Sequence, residues 1–393
     1  MNNYSDWMKR FSFASLVILC LAVFTSLSVS AAHHILLVIP GIYFLQKKPS
    51  GWNMSMKAVA LICATIAISV IFNWGELNRP LKNLSSMKYF LIPLIGVFAY
   101  RQVEWTKTRI KLCLTLLLLG TSVATFSGII GLYSGFNPLK MKDACHTDRA
   151  CGLYGMYMTY GYGIGLFMVI MTGLVIYRDQ VKQYVSERIL WSVWIINGAG
   201  LFLSYARGAW LGFLIALPFF FLKRNKKIFV ASFLGGAIFL AALVGISPTV
   251  NKMFFERGGS NEQRLSFFES AYVAFKERPV VGWGYKNFEP NVKMLKAKYD
   301  IAFPDFQGHA HNNFLEHLAS TGAVGFIALL LFHAFWFKES LCSSRLIDNI
   351  ALPFVVALFV SGMTQVTLGD GENLFLIMGF WLVCQVQQRP IHE

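Results

Sequence analysis

The sequence predicts an all-α, polytopic integral membrane bundle of about twelve transmembrane helices, and three observations carry that prediction. Mean hydropathy is +0.52, with 55% hydrophobic and only 14% charged residues among 393. Apolar runs recur along the whole chain, divided by short polar connections. Lys and Arg gather in alternate connections, as the positive-inside rule requires of a chain that crosses repeatedly. The net charge of +15 is therefore mostly topology. A nucleic-acid partner would need a clustered basic face on a soluble surface, and no such partner is expected.

A hydrocarbon core of roughly 30 Å takes about 20 helical residues. The runs at 11–30, 31–45, 58–73, 88–100, 111–134, 154–177, 189–205, 208–222, 228–247, 313–337, 350–366 and 374–388 are read as spans. Lys9 and Arg10 precede a first run that continues directly into the second, which reads as a retained signal anchor. Residues 189–222 carry no charge except Arg207 and would measure ~51 Å as one straight helix. Both flanks, Arg188 and the run from Lys223 to Lys227, are basic, so the chain must leave and return. Arg207 then falls in an outer turn, YARGAW. The basic connections, among them Lys47, Lys48, Arg101, Lys223 and Arg389, put both termini in the cytoplasm. Residues 1–393 form a single membrane domain, with 248–312 as a large periplasmic loop between the ninth and tenth spans.

The polar residues of the outer face are few enough to weigh singly. Cys145 and Cys151 stand alone in the loop KMKDACHTDRACG and are expected to form a disulfide in an oxidising compartment. A metal site with Asp143 and His146 lacks zinc-motif spacing. Residues 260–278 read as an amphipathic helix with a capping box at Ser260 and Gln263 and an apolar stripe of Leu265, Phe268, Tyr272 and Phe275. Pro279 stops it. Arg264 lies in its first turn, where the helix dipole disfavours a cation, which points to an anionic partner. Pairing with Glu262 or Glu269 is the plainer account.

His311 and Asn312 open the tenth span, where backbone N–H groups would hold an imidazole neutral and competent as a base. Capping or interfacial anchoring is the plainer role for a lone histidine. Gly322 and Gly325 read as positions of close helix packing. Asp370 sits in the short outer turn TLGDGEN beside Glu372. His33, His34, His309 and His317 are read as structural. Arg207, Arg264, His311 and Asp370 come from four separate segments, yet topology places all four on one membrane face.

The stretch HNNFLEHLASTGAVG resembles the pattern of the bacterial O-antigen ligases, within the O-antigen ligase and polymerase superfamily. That pattern is His, then Asn, Ser or Gln, nine residues, Gly, two residues, and Gly, Thr or Tyr. It falls here on His311, Asn312, Gly322 and Gly325. The ARGAW turn with Arg207, QRLSFFESA with Arg264 and LGDGEN with Asp370 are similar to the family's other functional segments. The resemblance implies transfer of a polysaccharide from an undecaprenyl diphosphate-linked O-antigen to the lipid A-core acceptor, at the periplasmic face of the bacterial inner membrane. It also implies inversion at the anomeric carbon and no cofactor or metal. The roles it implies are His311 as general base, Arg207 and Arg264 on the diphosphate, and Asp370 with Asn312 in support. Three other readings stand beside it: a polymerase of the same superfamily, a transporter or lipid flippase, and a structural membrane subunit. A transporter would show broken helices near mid-membrane and an internal repeat.

Overall fold

In a computed structural model, residues 2–47, 51–246, 251 and 258–386 are described. They form α1 (Asn2–Ala22), α2 (Leu27–Gln46), α3 (Met54–Phe72), α4 (Pro80–Ser85), α5 (Lys88–Tyr100) and α6 (Lys107–Ser134). A small antiparallel hairpin, β1 (Phe136–Asn137) with β2 (Lys142–Asp143), leads to α7 (Tyr157–Ile176), α8 (Arg178–Val181) and α9 (Glu187–Leu203). Next come α10 (Arg207–Ala216), extended by a 3₁₀ turn (Leu217–Phe220), and α11 (Lys226–Ile246). The chain closes with α12 (Gly258–Glu277), α13 (Phe288–Lys298), α14 (Asn313–Cys342), α15 (Leu346–Gly362) and α16 (Gly371–Cys384).

Every apolar run expected as a span overlaps a helix. Among the described residues, five helices are long and apolar enough to cross a membrane, namely α2, α3, α6, α7 and α14. Local chemistry starts several of these elements. The side chains of Ser26, Asn53, Thr106, Ser186 and Asn312 each accept a backbone N–H from the first turn of the helix they precede, a cap worth about 1 kcal/mol. Ser26 also corrects the first boundary, expected at residue 30. The apolar sequence has no dip there, but the serine cap turns the chain at residues 23–26.

The bundle is filled by apolar side chains, including Phe24, Phe90, Phe167, Phe332, Trp336 and Trp381. Helix lengths differ sharply. α6 has 28 residues and rises ~42 Å, whereas α16 has 14 and rises ~21 Å, with α15 between them at 17 residues and ~26 Å.

The segment expected as the outer loop is itself folded. α12, α13 and the start of α14 enclose a second core of Phe267, Ala271, Ala274, Trp283, Phe288, Val292 and Leu295. Lys296, fully buried, pins it by donating to Ser266 Oγ (2.9 Å) and Phe303 O (3.2 Å) over the Phe267 ring. α12 already contains Gly258, so Ser260 lies within the helix instead of capping it. Its buried face is Phe267, Ser270, Ala271 and Ala274, while Leu265 and Tyr272 point outward at 61% and 50% exposure. Half of the expected stripe thus faces away from the core, while Phe268 and Phe275 are half-buried, and small side chains make the closest approach to α14. Lys48, Arg389 and residues 247–250, 252–257 and 387–388 of the expected spans and loop lie outside the described residues.

α14 is not one rod. A straight helix would hold Phe314 and His333 ~28 Å apart, yet their rings are centred 5.7 Å apart. The chain doubles back at Gly322, whose φ of 67° and ψ of −167° are non-helical. Into this corner fits the turn between α12 and α13. Ala323 N–H donates to Pro279 O (2.8 Å) and Trp283 N–H to Ala319 O (2.9 Å). A Cβ on Gly322 would collide with the Val280 carbonyl, and one on Gly282 (φ 66°) with the backbone of residues 320–322. Gly322 is thus a hinge against a loop, which corrects its reading as a helix-packing residue. Gly325 packs against the Thr321 side chain of its own preceding turn.

Candidate functional site

The site is built where α7, α10, α12, α14, α15 and α16 meet. His311 precedes α14, held with a left-handed φ of 46°, a conformation costly for a side chain larger than glycine. Three hydrogen bonds fix that geometry: Asn312 Oδ1 accepts from Phe314 N–H (2.8 Å) and Leu315 N–H (3.1 Å) as the helix cap, and Asn312 Nδ2 donates to Met363 O (3.1 Å). Glu316 reaches back from the first turn to accept the Ala310 N–H (2.9 Å). Asn313 bridges to the turn after α15 through Thr367 Oγ1 (2.8 Å) and Leu368 N–H (3.1 Å).

The imidazole of His311 lies 2.8 Å from Gln365 Oε1 through Nδ1. A carbonyl oxygen only accepts, so Nδ1 carries the proton and Nε2 keeps its lone pair. Burial is the main cause that lowers the His311 pKa to about 4, with His309 and Arg264 adding to it. The expected helix-end effect is not the leading one. The ring of His309, read from sequence as structural, is centred 4.2 Å from that of His311.

Arg207 is the first residue of α10, after a turn in which Tyr205 takes a φ of 50°. Gly208 seats that turn against the Tyr162 hydroxyl and Thr364, themselves bonded at 2.8 Å. Ala150, beside the Cys145–Cys151 disulfide (Cα–Cα 6.3 Å), ties the other side by donating its N–H to Leu203 O (2.9 Å). Arg264 stands in the second turn of α12, not the first. Among the described residues it makes no ion pair, with Glu262 and Glu269 included. Both guanidiniums act electrostatically on the Tyr162 hydroxyl, and Arg264 also acts on His311. Three of the expected residues, Arg207, Arg264 and His311, are thus linked in two neighbourhoods, around Tyr162 and around His311, that share Arg264.

Asp370 caps the approach to α16 and accepts from Thr159 Oγ1 of α7 (3.0 Å). Burial raises its pKa, opposed by the Thr159 bond and His309. Asp370 therefore joins the histidines through His309. Gln365, Thr159, Tyr162 and Glu316 were not singled out from the sequence. The signal was present as polar residues at the ends of apolar runs, in GMTQVT and YMTYGYG. A cavity of about 340 Å³ at the opposite ends of the helices, lined by Tyr177, Lys223, Arg224 and Ser343, contains none of the candidate residues. Among the described residues, no three His, Cys, Asp or Glu side chains are grouped as metal ligands.

Chemically, the arrangement offers a neutral imidazole with one free lone pair, two guanidiniums that prefer planar bidentate oxyanions, and a carboxyl held by a threonine. Residues 191–330 match the family described as O-antigen ligase, a range that includes Arg207, Arg264, His311, Asn312, Gly322 and Gly325. The chain is also 26% identical to a Haemophilus influenzae protein described as uncharacterized, over 76% of each chain.

Proposed function

Starting from the assignment of this chain to the O-antigen ligase family by residues 191–330, we propose that it is an O-antigen ligase. It transfers a polysaccharide from undecaprenyl diphosphate to a hydroxyl of the lipid A-core oligosaccharide. The observation that supports this reading is that Arg207 and Arg264, from distant segments, both act on Tyr162, while Arg264 also acts on His311. In the reaction, the acceptor O–H gives its proton to Nε2 of His311 while its oxygen attacks the anomeric carbon. The bond from that carbon to the diphosphate oxygen breaks on the opposite face, inverting the centre. The diphosphate leaves with the electron pair, and Arg207 and Arg264 hold the developing charge through bidentate hydrogen bonds.

Asp370 and Asn312 support the site, the first from the start of α16 and the second as the cap that fixes His311. The enzyme lies in the bacterial inner membrane with both termini cytoplasmic and the site periplasmic, so the polyprenyl tail stays among lipids while its diphosphate reaches the arginines. The reaction needs no metal in this reading. Reconstitution in EDTA with an undecaprenyl diphosphate-linked glycan and rough lipopolysaccharide tests it: glycan should appear on the lipopolysaccharide. Longer lipid-linked chains would instead mean a polymerase, and no covalent product would favour transport.

A further inference from the structure

A two-substrate transfer must seat a second molecule beside the first, and a second group of cations stands near Asp370. Lys88 begins α5 with its ammonium 5.4 Å from the centre of the Tyr89 ring, and the Tyr89 hydroxyl packs against Gly371, next to Asp370. Lys286 arrives from the turn before α13, where its φ is 59°. That turn is fastened to the end of α3: Tyr285 N–H donates to Ser69 Oγ (3.2 Å), Gly284 packs on Leu77, and Asn73 donates to Gly282 O (3.1 Å). Since α3 leads straight into α4, this packing brings Lys286 within electrostatic range of Lys82 and Lys88, as well as of Asp370 and Glu316.

Three ammonium groups held this close repel one another. Among the described residues none of them has an ion pair, although neighbouring cations do: Arg278 pairs with Glu76 at 2.5 Å and Lys298 with Glu277 at 2.6 Å. All three lysines are exposed. Lysine is a compact, hydrated point charge, suited to dispersed anions, whereas the guanidiniums beside Tyr162 suit a planar diphosphate oxyanion.

We propose that Lys82, Lys88 and Lys286 form a second anion site, on the Asp370 flank of the cleft, that receives phosphate groups of the acceptor saccharide. This rests on the two-substrate reading above. It divides the cleft by charge type, with arginines for the donor and lysines for the acceptor, and the histidines between them.

The test uses the full-length protein with Lys82→Gln, Lys88→Gln and Lys286→Gln combined, measured for equilibrium binding of rough lipopolysaccharide and for transfer. Binding and the acceptor KM should weaken at least about fivefold, with the donor KM, the thermal midpoint and the KM for a dephosphorylated acceptor unchanged. An equal loss with the dephosphorylated acceptor, no loss at all, or a raised donor KM would overturn the proposal. So would a defect confined to retention on phosphatidylglycerol vesicles over phosphatidylcholine ones, which would make the anion a lipid headgroup. Lysine-dependent lipopolysaccharide binding by a wild type that transfers no glycan to it would sink the ligase reading and leave the anion site standing.

Discussion

His311 and Gln365 form the smallest unit in which the chemistry can be read. With Oε1 accepting from Nδ1 (2.8 Å), Gln365 fixes which nitrogen carries the proton and leaves Nε2 its lone pair. A histidine whose pKa is lowered to about 4 is already deprotonated at pH 7 and stays so as pH falls toward 5. The kcat/KM profile of the wild type should therefore remain flat from pH 7 to about 5, whereas an ordinary histidine would lose half its activity near 6.5. A break near 6.5 would contradict a base whose pKa is lowered to about 4. Gln365→Glu should move the acid limb to higher pH, because a carboxylate beside Nδ1–H favours the charged ring. His311→Ala should abolish transfer with expression retained. The sequence revealed His311 because a histidine at the mouth of an apolar run is conspicuous. It did not reveal Gln365, since a glutamine 54 positions away becomes a partner only through the turn after α15.

The doubled-back α14 shows what an element owes to the rest of the chain. Residues 319–331, ASTGAVGFIALLL, are continuously helix-compatible and apolar, so local pattern predicts one span with two packing glycines. The hinge comes from a loop some forty positions earlier, whose carbonyl at Pro279 and N–H at Trp283 complete the broken ladder. Long-range backbone pairing of this kind leaves no periodic trace. The existence of the helices was legible for the opposite reason, since their spans and several caps are local. Gly322→Ala should cost at least about 3 kcal/mol, from a φ closed to side chains together with the Val280 collision. Gly325→Ala should cost less, because Gly325 has no left-handed φ and its added Cβ would meet only the Thr321 side chain, not a loop carbonyl. Thermal unfolding in detergent would check both, and equal losses would contradict the hinge.

At the scale of the molecule, polar side chains such as Ser15, Ser69, Thr125 and Asn197 are buried while Ile35, Ile39, Phe72 and Ile195 face outward. That inversion is what an apolar solvent selects, and composition alone had announced it. The basic loops predict an orientation, and the native cysteines can test it. Cys342 is exposed, whereas Cys63, Cys113 and Cys384 are buried and Cys20 is half-buried. A membrane-impermeant maleimide should label Cys342 only after the inner membrane is opened, and labelling of intact spheroplasts would invert the topology.

The short α15 and α16 give this architecture a further meaning. A helix of 14 residues reaches ~21 Å, less than the roughly 30 Å of a typical hydrocarbon core, so in the proposed membrane setting the turn bearing Gln365 and Asp370 would set the depth of the site. A carrier held by its tail offers its phosphates at a level that the lipids decide. The protein and the membrane must therefore agree on one altitude for chemistry, and turnover should fall in bilayers whose acyl chains are too long or too short to match it.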